Sequence, residues 1–194
     1  MKKIVFDQQE FLPVSWQEMA GFCFKLAHKT EKSDQFDQII AISRGGLIVG
    51  RILADLLNLP ISLFTIRAYK EIGKIKKPTI TEKLAAKIEN KKILLVDEII
   101  DTGKTLTLAL SYLQSFKPKK IKTAVLFYKE KAETAPDFFL FKTTSWVIFP
   151  YEIRETITDL SQIWSKKNIS KAEINSRLLK LGLPKKQIEY FLIL

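Results

Sequence analysis

Ten consecutive residues hold the densest chemistry in this chain of 194 residues: Val96-Asp-Glu-Ile-Ile-Asp-Thr-Gly-Lys-Thr105. An apolar run delivers two adjacent carboxylates, Asp97 and Glu98, and a third follows at Asp101. The stretch then ends in Thr102-Gly103-Lys104-Thr105 and opens an apolar-periodic segment. Unpaired N–H groups at a helix start, with threonine hydroxyls beside them, make a cradle for a phosphate monoester. Gly103 lets the backbone approach such a group closely. The three acids would repel a phosphate in the same cradle, so they must serve something next to it. Carboxylates suit the hydroxyls of a sugar, a bound Mg²⁺, or a developing positive charge. Acids at a helix N-terminus also act as plain caps, but three within five residues exceed what capping asks. Gly103-Lys104-Thr105 matches the end of a P-loop, yet Glu98 stands where that pattern requires glycine, so a nucleoside triphosphatase is excluded.

A second glycine-bearing stretch, Ser43-Arg44-Gly45-Gly46, follows the β-branched run Gln38–Ile42. Both stretches are therefore expected as turns at strand carboxyl ends. The apolar runs at 60–66, 91–96, 122–128 and 146–149 read as further strands, and 47–57 and the segment after Thr105 read as helices. Trp16 to Ala27 carries Trp16, Met19, Ala20, Cys23 and Ala27 at helical spacing. Cys23 falls on the packing face and His28 near the helix end, and both read as structural. Alternating strands and helices predict an α/β fold: a mostly parallel, twisted sheet with helices on both faces. In such sheets ligands sit outside the carboxyl ends of the strands, where the two turns are expected.

The tail reads differently. Ser170-Lys-Ala-Glu173 is a capping box, Ile174, Leu178 and Leu181 share a face, Gly182 ends the helix, and Pro184 opens another. Such a pair is expected to pack on its own domain or on a second subunit rather than to read DNA. The predicted division is a domain over 1–157 and a helical appendage over 158–194.

Composition narrows the function classes. With 46% hydrophobic and 27% charged residues, the chain has the makings of an ordinary globular core. One Cys and one His exclude a disulfide framework and argue against a zinc enzyme. No apolar run reaches the roughly 20 residues of a bilayer-crossing helix. Asp7 interrupts the first apolar stretch too early for a signal peptide, so a cytoplasmic protein is expected. Thirty-two basic against 21 acidic residues give a net charge of +11, an excess that attracts polyanions or small phosphorylated substrates. The lysines are scattered, so most of them read as a solvated surface.

The stretch from Val96 to Thr105 resembles, without a gap, the signature of the type I phosphoribosyltransferases, and Ser43–Gly46 resembles their pyrophosphate loop. Trp146-Val-Ile-Phe-Pro-Tyr-Glu152 is similar to the base-binding segment of xanthine-guanine and hypoxanthine enzymes. The likeness spans roughly residues 12–157 and implies the following roles. Asp97 and Glu98 would hold the ribose diol of phosphoribosyl pyrophosphate (PRPP) and, directly or through water, Mg²⁺. Asp101 would face purine N7, and Thr102, Gly103, Lys104 and Thr105 would hold the 5′-phosphate. Ser43, Arg44, Gly45 and Gly46 would hold pyrophosphate. Lys129 would bond the purine 6-oxo group, Trp146 would stack on the base, the Val147 backbone would read its edge, and Glu152 would meet a base amino group. Residues of about 67–90, Arg67 and several lysines among them, would form a mobile hood.

The implied function is a Mg²⁺-dependent purine phosphoribosyltransferase acting on PRPP and a 6-oxopurine, as a homodimer or larger homo-oligomer, without nucleic acid or membrane as partner. Ile148 and Phe149 are apolar where some relatives carry polar residues, which leaves hypoxanthine, guanine and xanthine open. Two alternatives remain: a PRPP- or nucleotide-sensing regulator of the same fold that binds nucleic acid, and a phosphoribosyltransferase for another base.

Overall fold

The computed structural model describes residues 1–67, 70–71, 74–75 and 77–192. In chain order the elements are β1 (Ile4–Phe6), β2 (Gln9–Pro13), α1 (Trp16–Glu31), β3 (Gln38–Ser43), α2 (Gly46–Leu56) and β4 (Ile61–Arg67). Then come β5 (Lys70–Glu71), β6 (Lys74–Ile75), β7 (Thr79–Glu82), β8 (Lys92–Val96), β9 (Ile99–Ile100) and α3 (Lys104–Gln114). The chain continues through β10 (Lys120–Tyr128), β11 (Phe138–Lys142), β12 (Trp146–Ile148), α4 (Ile153–Lys166), α5 (Lys171–Lys180) and α6 (Lys185–Leu192). Two compact units result: Ala20–Thr143, and Met1–Met19 with Thr144–Leu194.

The larger unit carries the sheet β11-β10-β8-β3-β4-β7, with β9 also paired to β10. All pairings are parallel except that of β4 with β7. Its strands are apolar on both faces because helices cover both. Ile40 and Ile42 face a cluster with Leu106, Ala109 and Leu113 of α3. Ala41 faces the other way, and a methyl group added to Gly50 of α2 would come within 2.9 Å of the Ala41 Cβ. The path from β3 to β4 runs one way across the sheet and that from β8 to β10 the other, so β3 and β8, paired side by side, flank the point where strand order reverses. That point is where open α/β sheets hold their ligands.

The segment expected as a hood, about 67–90, includes residues 68, 69, 72, 73 and 76, which lie outside the described residues. Its described part contains the antiparallel pair β5–β6 and the strand β7.

The smaller unit has a three-stranded sheet, β1-β2-β12. The strand expected over 146–149 is present as β12, but it pairs with β2, Trp146 opposite Phe11, instead of extending the large sheet. Phe11 and Ile148 join Ile157, Leu160 and Trp164 of α4 and Ile174, Leu178 and Ile188 of α5 and α6 in one buried cluster. The tail helices thus pack against their own unit. Among the described residues no helix is long and apolar enough to cross a membrane.

Candidate active site

The turn after β3 and the turn after β8 are built against each other, and two glycines show how closely. A methyl group on Gly46 would approach Val96 O to 2.5 Å and the Asp97 Cα to 3.0 Å. One on Gly45 would overlap the Glu98 carboxylate. The Ser43–Gly46 turn therefore rests directly on the first two acids of the second turn, and only glycine leaves room for that. The Ser43–Arg44 peptide is cis, and Arg44 is exposed at the start of α2.

Asp97 and Glu98 follow β8 where the sheet loosens. The Asp97 N–H donates to Ala124 O at 3.2 Å, and the Glu98 N–H donates to the Asp97 carboxylate at 3.0 Å. Ile99–Ile100 then rejoins β10 as β9, which throws Asp101 and Thr102 out to the exposed end of the sheet.

Gly103, at φ 86°, turns the chain into α3 through the left-handed region, the conformation that favours glycine. No acid lies in the first turn of α3, so the N–H groups from Gly103 onward keep their positive potential. Behind this nest stands the loop after β10. The Glu133 N–H donates to Thr102 O at 2.9 Å, and the Thr107 and Thr134 hydroxyls lie 2.8 Å apart. A methyl group on Gly103 would come within 2.8 Å of Thr134 N. This buttress of Glu133 and Thr134 is absent from the sequence reading, since nothing in the spacing of those residues announces it.

Lys129 caps the end of β10. Its N–H donates to Ile100 O at 2.9 Å, and its ammonium forms an ion pair with the Asp101 carboxylate at 3.0 Å. Lys129 is mostly buried while Asp101 is 56% exposed, so the pair offers its carboxylate to solvent.

Twelve of the fifteen residues singled out in the sequence thus gather in the larger unit: Ser43–Gly46, Asp97, Glu98, Asp101–Thr105 and Lys129. Trp146, Val147 and Glu152 lie in the smaller one. There Trp146 is half-buried with its ring centroid 6.1 Å from that of Phe11, and Val147 is buried on β12. Glu152 precedes α4, where its carbonyl accepts from the Thr156 N–H at 2.8 Å.

The two glycine turns and the acid pair thus meet beside the strand reversal, with the N–H groups at the start of α3 next to them. The chain matches the phosphoribosyl transferase domain over residues 15–156, and it belongs to that family. Its fold is that of the type I phosphoribosyltransferases. It is 26% identical over 149 residues to the xanthine-guanine phosphoribosyltransferase of Idiomarina loihiensis, covering 76% of this chain and 89% of that one. A purine phosphoribosyltransferase from Pyrococcus horikoshii superposes with a TM-score of 0.66 at 31% identity, over 73% of this chain and 93% of the other. The xanthine-guanine-hypoxanthine phosphoribosyltransferase of Helicobacter pylori shares the fold, with a TM-score of 0.64 at 24% identity over 80% of this chain and 97% of its own.

Proposed function

We propose that the protein transfers the 5-phosphoribosyl group of PRPP to N9 of a 6-oxopurine, giving a nucleoside 5′-monophosphate and pyrophosphate. Family membership supports the general reaction, and the similarity to purine enzymes supports a purine acceptor. The observation that carries the reading is the joining of two turns at the strand reversal: a phosphate nest at Thr102–Thr105 and a glycine turn lying on Asp97 and Glu98.

In this reading Thr102–Thr105 hold the 5′-phosphate through N–H and hydroxyl donors. Asp97 and Glu98 accept from the ribose 2′- and 3′-hydroxyls, which fixes the ring between nest and leaving group. Arg44 and the backbone of Ser43, Gly45 and Gly46 receive the pyrophosphate. Breaking the C1–oxygen bond sends both electrons out with pyrophosphate and leaves an oxocarbenium-like centre. Purine N9 attacks from the opposite face, so the configuration at C1 inverts. As N9 bonds, the proton on N7 becomes acidic and the Asp101 carboxylate takes it. The resemblance assigns Trp146 to stacking on the base, the Val147 backbone to its edge and Glu152 to a 2-amino group when one is present.

The Lys129–Asp101 pair supports a 6-oxopurine over adenine. Neighbouring atoms on the purine edge present a donor, N7–H, and an acceptor, O6, to a carboxylate and an ammonium held 3.0 Å apart. Adenine would set an amino group against the ammonium, donor against donor.

The donor set also fits Mg²⁺. Adjacent carboxylates are hard oxygen ligands, and the described residues gather no cluster of three metal-binding side chains, so substrate oxygens would complete the shell. Asp97 and Glu98 would hold the ion, directly or through water. When bound, it offsets the charge of the departing pyrophosphate.

A steady-state assay with PRPP, Mg²⁺ and each of hypoxanthine, guanine, xanthine and adenine tests the proposal. Turnover is expected with hypoxanthine and guanine and not with adenine. Consumption of none of the four would overturn it.

A further inference from the structure

Outside the candidate active site, the smaller unit contains a groove of about 560 Å³ between the start of α4 and α6. Pro150 and Tyr151 form one wall, Arg154 stands on the first turn of α4, and Lys186, Tyr190 and Phe191 come from α6. None of these residues has a role in the proposed reaction. Tyr190 is 65% exposed, a large aromatic surface for a side chain with no core to fill. It meets Phe191 edge to face, with centroids 5.1 Å apart at 78°, and the Arg154 guanidinium sits 5.7 Å from the Phe191 ring. Among the described residues neither Arg154 nor Lys186 forms a salt bridge, whereas Lys185 beside it on α6 pairs with Glu189 at 3.9 Å.

Across Arg154 and Phe191 lies a second cavity of about 330 Å³, lined also by Thr158 and Ser161. The Ser161 hydroxyl is buried with no hydrogen-bond partner among the described residues. An orphaned buried hydroxyl costs free energy that a ligand oxygen would recover.

An exposed aromatic face beside two uncompensated cations suits a flat heterocycle carrying phosphates, and the volume suits one such molecule. We propose that this groove binds a nucleoside polyphosphate, its base against Tyr190 and its phosphates on Arg154 and Lys186, with an oxygen reaching toward Ser161. The site is independent of the function proposed above and would stand if that failed.

The test uses 8-azidoadenosine triphosphate as a photolabel on the full chain, with mapping of the labelled peptides. An adenine probe is chosen because the candidate active site is read as favouring 6-oxopurines. Saturable labelling of residues 181–192 is expected. In the double variant Lys186→Glu/Tyr190→Ala it should fall by about tenfold or more, with an unchanged melting temperature because both side chains are exposed. Labelling confined to 97–105 or 146–152, or equal labelling of the double variant, would overturn the proposal. So would displacement by single-stranded oligonucleotides with an affinity that grows with their length, since the face would then bind strands rather than one nucleotide.

Discussion

Asp101 and Lys129 form the contact on which the proposed chemistry turns, and each answers for a different atom of the base. Replacing Asp101 by Asn keeps the shape but removes the proton acceptor. We expect kcat to fall by about 10²-fold or more while the Kd for PRPP, measured by calorimetry, stays within about twofold. Unchanged turnover would mean that the N7 proton leaves by another route. Asp34, far simpler in role, reports on stability. Its carboxylate accepts first from Lys120 and then from Lys92, which hold its pKa at about 2, below the ordinary 3.8. A lowered folded-state value stabilises above the unfolded one, so this contribution is complete above pH 3.8 and disappears as pH falls through about 2. Asp34→Asn is therefore expected to flatten the acid limb of a stability–pH curve over that window, read by chemical denaturation. At this scale the sequence is most informative where the chemistry is contiguous. Asp97 to Thr105 is one uninterrupted stretch. The ion pair that ties Asp101 to Lys129 crosses from one strand end to another, and only the fold brings those ends together.

Elements were legible where their signals are local. Ser170 accepts a hydrogen bond from the Glu173 N–H at 3.2 Å, as its capping box implies, and α5 begins at Lys171. Ser170→Ala should cost about 1 kcal/mol of stability in urea unfolding; a change within error would show that α5 is held by packing alone. Gly182, at φ 82°, ends the helix as read from the sequence. Less visible was α4, although Ile157, Leu160 and Trp164 recur at helical spacing and are buried together. Nor did β12 reveal its partner. A short apolar strand carries no mark of which sheet it joins, and pairing with β2 depends on residues near the opposite end of the chain. The β10–β11 loop behind Gly103 was invisible for a related reason, because it acts through the backbone N–H groups of Glu133 and Thr134 rather than through their side chains.

For the whole molecule, the alternation of strands and helices was enough to anticipate a parallel sheet with its loops of interest at one end. Strand order was not, since β8 takes its place beside β3 only after the chain has made β4 and β7. That order places the two glycine turns on neighbouring strands at the reversal. Their convergence is what the proposed reaction requires, because a nest without acids beside it would hold any phosphate, and acids without a nest would hold none. The most direct measurement is a crystal structure with guanosine 5′-monophosphate. The phosphate is expected on the backbone of Thr102–Thr105 and the ribose hydroxyls facing Asp97 and Glu98. A nucleotide bound elsewhere, with that nest empty, would contradict it.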